Sequence, residues 1–268
     1  MEPEDYVTAN RNAWDDSAPH HRANATWQRL SEAFAAGGYS CLDVFDQATL
    51  GKIGLVGKDV AQICCNNGRE LLSIRNLGAR RCVGFDQSAA FLSQARELNA
   101  LAKLDCEFVE TDIHAIDPAY NARFDLAVIT IGVLAWMPDL TAFFSAVIRL
   151  LRPGGILYIY EEHPVMNMFD PKGAQPDVPA TSYFQAEPRA ETTALVYDGS
   201  AVAEVSTHYW FYHPLGKIVT SAIGAGLRLV SLEEFSHNVN IVEYDRYAVG
   251  SVKLPMSYQL LAVKPVAP

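Results

Sequence analysis

From residue 58 onward the chain alternates short apolar runs with stretches whose apolar residues recur at spacings of three and four. The runs 58–65, 81–86, 105–110, 124–131 and 156–160 are too short for helices and are bounded by Gly, Asn or Asp, so they read as five strands. Between them, 69–77, 88–101 and 138–151 carry helical spacing, with Ser88 placed as an N-cap and Pro138 near a first turn. Residues 152–155, Arg-Pro-Gly-Gly, read as a turn. Strands and helices in strict alternation predict parallel strands joined by crossover helices, a doubly wound α/β sheet.

The flanks read differently. Residues 6–18 and 23–36 have mixed three and four spacing, which predicts two helices separated by Pro19-His20-His21 and closed by Gly37-Gly38, with a loop following over 39–57. After Pro164 the period is lost: 166–189 is rich in Pro, Gly and aromatic residues and reads as a covering loop. Two strand-like runs, 192–197 and 202–212, are joined by Asp198-Gly199 and predict a hairpin. Core texture returns with a helix over 215–225 closed by Gly226, a strand over 227–233 and a last strand over 257–263.

Composition narrows the classes. With 268 residues, 50% hydrophobic and 19% charged, the chain can bury a core without disulfides or a structural metal. The net charge of -10, without any Lys/Arg run, argues against nucleic acid as a partner. No apolar stretch approaches a membrane span, and Met1-Glu2-Pro3-Glu4-Asp5 is acidic where a signal peptide is basic, so a cytoplasmic protein with no membrane partner is expected. The five cysteines are odd in number and form no C-x-x-C pair, so no metal is expected. Cys64 and Cys65, adjacent on a strand, are expected to point to opposite faces as small buried residues.

Open α/β sheets bind ligands at the carboxyl ends of their strands. At the end of the first strand Gly68 permits close approach of a ligand and opens a helix with free N–H groups. At the end of the second, Asp86 in Gly84-Phe85-Asp86-Gln87 is suited to accept both ribose hydroxyls of a nucleoside. At the end of the third, Asp112 and Ile113 offer an acceptor and an apolar wall, which suits an adenine ring. The plainer reading of each Asp is a helix cap or turn residue, but three such features end three successive strands.

On these residues the sequence resembles the class I S-adenosylmethionine-dependent methyltransferases of small molecules, of the type 11 and type 25 domain kind. Residues 60–68 (Val-Ala-Gln-Ile-Cys-Cys-Asn-Asn-Gly) are similar to the family's glycine-rich first motif, Gly84-Phe85-Asp86 to its second, and Glu110-Thr111-Asp112-Ile113 to its third. Phe124 to Val128, with Leu150-Leu151-Arg152-Pro153-Gly154-Gly155, resembles the fourth strand and the turn before the fifth. The chain departs from the family at Gln62, where an acidic residue is usual, and at Cys64 and Asn66, where glycines are usual. Asn tolerates a left-handed backbone better than Cys does.

The resemblance implies a Rossmann-like, seven-stranded sheet with an antiparallel last strand, an N-terminal helical lid and an inserted hairpin and loop cover. It implies one domain over 1–268: a lid over 1–57, a cofactor-binding core over 58–163, a substrate-covering insert over 164–213 and a sheet-completing part over 214–268. It implies S-adenosyl-L-methionine as cofactor, S-adenosyl-L-homocysteine as product and no metal. Gln62, Cys64, Asn66, Gly68, Asp86, Gln87, Asp112, Ile113, Thr130 and Ile131 are the expected cofactor residues. The expected acceptor residues are Tyr6, Trp14, His21, Glu161, Tyr183 and Trp210, and His163 is the expected general base. The expected reaction is in-line methyl transfer to nitrogen, oxygen or carbon of a small aromatic or heterocyclic metabolite of secondary metabolism, by a monomer or homodimer. The alternatives are a cofactor-binding sensor without turnover and non-methylating chemistry on the same scaffold. A nicotinamide enzyme is disfavoured, because the first turn lacks G-x-G-x-x-G spacing.

Overall fold

The computed structural model of the chain describes residues 2–196, 203–239 and 242–266. In chain order the strands are β1 Asp59–Ile63, β2 Arg81–Asp86, β3 Glu107–Glu110, β4 Phe124–Ile129, β5 Leu151–Glu162, β6 Arg189–Thr193, β7 Glu204–Trp210, β8 Arg228–Phe235 and β9 Ser257–Val263. The helices are α1 Pro3–Ala23, α2 Ala25–Ala35, α3 Val44–Ile53, α4 Arg69–Asn76, α5 Ala89–Leu101, α6 Leu140–Leu150, α7 Leu215–Gly224 and the short α8 Asp245–Ala248. Seven strands form one sheet in the order β3-β2-β1-β4-β5-β9-β8, and β6 and β7 form a separate ribbon. β1 to β5 run parallel, while β9 is antiparallel to both β5 and β8. The order reverses between β1 and β4, and a crevice opens at their carboxyl ends.

Strand alternation builds the two faces. Ala61, Ile63, Val83, Phe85, Ala127, Ile129, Leu157 and Ile159 point to the side covered by α6 and α7. Val60, Cys82, Leu126, Val128, Tyr158 and Tyr160 point to the side covered by α2, α3, α4 and α5. No helix among the described residues is long and apolar enough to cross a membrane.

Several boundaries differ from the sequence expectation for physical reasons. α1 runs straight through Pro19, which is exposed, while Ala13, Ser17, Ala18 and His21 are buried along the same helix and hold it against the body. The true boundary is Asn24, whose side chain accepts the Trp27 N–H at 2.9 Å and caps α2. The expected loop over 39–57 contains α3, capped by Asp43 through the N–H groups of Phe45 and Asp46. It escapes a pattern reading because polar groups share its buried side with Leu50: Tyr158 donates to Asp46 at 2.7 Å and Thr49 to Gln259 at 2.7 Å, while Val44 and Phe45 face outward. α6 starts at Leu140 under an Asp139 cap, so Pro138 lies outside it. The expected turn at 152–155 is the irregular start of β5, where the pairing with β4 shifts between Phe124 and Leu126. The ribbon is paired as expected but begins at Arg189; its Asp198-Gly199 turn lies outside the described residues.

Candidate functional site

β1 ends in a turn that imposes a left-handed backbone three times in five residues: φ is 53° at Cys64, 51° at Asn66 and 72° at Gly68. A non-glycine residue there costs roughly 1–2 kcal/mol. Asn66 offsets part of that cost by accepting the Asn67 N–H at 2.7 Å. The Cys64 side chain instead packs against the α6 face and Cys65 against the α4 face, so the two thiols do point apart, from a turn rather than from a strand. Burial raises the pKa of both thiols. Gly68 caps α4 from below, and a Cβ there would lie 2.6 Å from the Phe108 ring. Gly84 is needed for a related reason, since a Cβ would meet the Cys65 sulfur at 2.6 Å.

The turn is fixed from β2. Asp86 accepts the Asn66 N–H at 2.8 Å with one carboxylate oxygen and the Ser88 N–H at 2.9 Å with the other. Burial pushes its pKa up to about 6, against the pull of these N–H groups. Ser88 caps α5 as expected, and its hydroxyl also donates to Asp15 of α1 at 2.6 Å. At the end of β3, Asp112 caps a short 3-10 turn by accepting the His114 N–H at 2.6 Å, and Ile113 is buried beside it.

A cavity of about 930 Å³ opens over these strand ends. Of the expected residues, Cys64, Asn66, Asp86, Gln87, Thr130 and Ile131 line it from below, and Trp14, His21, Glu161 and Trp210 from above and beside. Asp112 and Ile113 line a small adjoining pocket that also touches Cys64, Asp86 and Gln87. The roof is α1 laid against the ribbon: Asn10 donates to the Tyr209 carbonyl at 3.2 Å and accepts its N–H at 2.8 Å. Trp136, from the segment after β4, sits between Trp14 and Trp210, with ring centroids 5.2 Å and 4.3 Å away. The His21 ring contacts the Leu195 carbonyl and packs edge-on to Phe91.

Other expected residues are not brought to the cavity. Tyr6 packs behind the roof on Tyr209 and Phe211. The Tyr183 hydroxyl accepts the Leu215 N–H at 2.9 Å. His163, the expected base, is buried outside the cavity lining: its Nδ1 accepts the Val165 N–H at 3.1 Å and its Nε2 lies 2.9 Å from Glu234. Its position corrects the expectation, because it fixes the turn after β5 instead of facing the crevice. Glu161 reaches the cavity, but its carboxylate accepts the N–H groups of Gly132 at 2.6 Å and Leu134 at 3.0 Å. It therefore holds the segment after β4 in place, and burial pushes its pKa up to about 7.

Residues 60–155 match the family profile described as methyltransferase domain. A 1.60 Å crystal structure of an S-adenosylmethionine-dependent methyltransferase from Mesorhizobium loti aligns over 81% of this chain and 96% of its own, with a TM-score of 0.55 at 19% identity. Residues 60–155 are thus similar to a methyltransferase domain, and the chain has the fold of an S-adenosylmethionine-dependent methyltransferase. The chain is also similar to a tRNA U34 carboxymethyltransferase of Nautilia profundicola, 33% identical over 103 residues, or 38% of this chain and 34% of the relative. A trans-aconitate 2-methyltransferase of Escherichia coli is 33% identical over 103 residues, 38% of each chain. These matches span little more than a third of the curated relatives' length.

Within the matched residues, the departure at Gln62 has a visible consequence. Its side chain is buried under the first turn and donates to the Thr130 hydroxyl at 3.2 Å, while its Oε1 has no hydrogen-bond partner. Gly68 likewise shapes the turn from behind without lining the cavity. Sequence reasoning missed Trp136 altogether. Leu134-Ala135-Trp136 is a single 3-10 turn, too short to carry a period, so its Trp gives no directional signal before the roof is folded over it. Among the described residues no group of three or more His, Cys, Asp or Glu is arranged to hold a metal.

Proposed function

We propose that the chain binds S-adenosylmethionine in the crevice and transfers its methyl group to a small acceptor held under the roof. The observation that carries the reading is the first turn. Cys64, Asn66 and Gly68 keep the left-handed backbone at all three positions where the family has glycine, and Asp86 is aimed at the same turn. In this reading the N–H groups from Cys64 to Gly68 line the methionine side of the cofactor, Asp86 and Gln87 take the ribose, and Asp112 with Ile113 takes the adenine. Thr130 and Ile131 border the reacting end. The cofactor, when bound, supplies the electrophilic carbon, so the chain's own contribution is position, desolvation and exclusion of water.

A cavity of 930 Å³ walled by Trp14, Trp136 and Trp210 suits a flat small acceptor alongside a nucleoside-sized cofactor. The net charge of -10 disfavours a polyanionic acceptor such as tRNA, although one similar relative is a tRNA enzyme. His163 has no part in this reading. A second reading, a cofactor-binding sensor without turnover, is favoured by the side chains at Cys64 and Asn66 and by the neutral Gln62. Methyl transfer across an acceptor panel separates the two.

Calorimetry with S-adenosylhomocysteine tests the shared premise. Binding in the micromolar range is expected, with Asp86→Asn weakening it about tenfold, the equivalent of one lost charge-assisted hydrogen bond. No heat of binding at high micromolar concentration overturns both readings.

A further inference from the structure

Glu162, the last residue of β5, stands apart from the other charged groups around the cavity. Asp86 holds the first turn and Glu161 holds the segment after β4. Arg69 is paired with Glu70 at 2.6 Å, Arg189 with Glu191 at 2.5 Å, and Asp245 accepts from Asn238 at 2.8 Å. The Glu162 carboxylate lines the same cavity, half-buried, and takes part in no hydrogen bond or ion pair among the described residues. Its near neighbour Tyr244 lines the cavity too, and so does Tyr212, which interacts with Tyr244.

A second unpartnered group stands on the adjoining strand. Tyr258 of β9 lines the cavity, is fully buried, and its hydroxyl has no hydrogen-bond partner, but it pairs with Glu161 and so faces the other side of the sheet from Glu162. A buried polar atom left unpaired costs about 1–3 kcal/mol. A carboxylate can only accept, and a tyrosine face attracts cations. The wall around Glu162 therefore offers an acceptor and aromatic faces, and its neighbouring guanidinium, Arg189, is already neutralised by Glu191.

We propose that this wall selects the methyl acceptor, and that the acceptor is a small amine bound as its ammonium, with Glu162 receiving an N–H and then that proton, so that the freed nitrogen lone pair forms the new N–C bond as the methyl–sulfur bond breaks. The proposal rests on the reading of the cavity as the acceptor site. An ammonium brings several N–H groups and a positive charge. A hydroxyl brings one donor and no charge, and a carboxylate brings neither an N–H for Glu162 nor a positive charge to restore its own. Burial and the adjacent Glu161 hold the Glu162 carboxyl well above its ordinary range, and a bound cation restores its charge.

The test uses the full chain and three probes of one shape: benzylamine, benzyl alcohol and benzoate. Calorimetry in the presence of S-adenosylhomocysteine is expected to give benzylamine an affinity at least about tenfold above the other two. Glu162→Gln should remove that preference while leaving benzyl alcohol within about twofold, and Tyr258→Phe, on the other side of the sheet, should leave the preference unchanged. Equal binding of benzylamine and benzyl alcohol, tighter binding of benzoate, or an unchanged preference in Glu162→Gln overturns the proposal. Binding of S-adenosylhomocysteine by each variant reports that it is folded. Its absence in the unaltered chain counts against the methyltransferase reading, a result distinct from a failure of amine selection.

Discussion

Cys64 holds a left-handed backbone and at the same time packs its side chain into the α6 face of the sheet, so its two energetic roles oppose each other. Replacing it with Gly relieves the backbone and loses the sulfur packing. Replacing it with Ala loses the sulfur and keeps the backbone cost. Cys64→Ala is therefore expected to be less stable than Cys64→Gly by about 1 kcal/mol, the reverse of the usual order, as measured by urea denaturation. Asn66 is better adapted, because its own side chain closes the turn on Asn67. Asp86 was legible in the sequence as an acceptor at a strand end. That the same carboxylate also ties down the first turn was not, because the Asn66 N–H reaches it across a gap of twenty residues.

At the scale of elements, one side chain in the roof acts as a short piece of backbone. Asn10 of α1 satisfies both the N–H and the carbonyl of Tyr209 on β7, and it is buried. Asn10→Ala leaves two partly buried backbone groups unpaired, and a loss of about 2–3 kcal/mol is expected by chemical denaturation, with faster proteolytic cleavage of α1. The sheet core behind the roof was readable because strands of period two and helices of period 3.6 carry strong signals over 58–163. α3 was not readable: its docking partners, Tyr158 and Gln259, lie on β5 and β9, far away in sequence. Nor was the continuity of α1 through Pro19, since the local penalty of a proline is overruled by burial on the helix's inner side.

The whole molecule carries opposing pH dependences. Burial pushes Asp46 up to about 7, so its contribution to stability is fully present below about pH 4 and is lost as pH rises through 7. Burial pushes His213 down to about 4, so its contribution is present above pH 6.5 and is lost as pH falls toward 4. The two trends partly cancel in the unaltered chain, but Asp46→Asn isolates the first. That variant is expected to match the parent near pH 4 and to exceed it by about 4 kcal/mol at pH 8, at ~1.4 kcal/mol per unit, as read from denaturation midpoints. A gain at pH 4 that vanishes at pH 8 contradicts the sign. The sequence by itself determined the alternation of β1 to β5 with their helices, the strand ends that border the cavity, and the candidate residues from Cys64 to Asp112, because each of these follows from local periodicity and turn chemistry. Only the tertiary structure decided which side chains face the crevice. Trp136 and Glu162 do, whereas His163, Tyr6 and Tyr183 do not, because facing depends on how α1, the ribbon and β9 fold back over strand ends far from them in sequence.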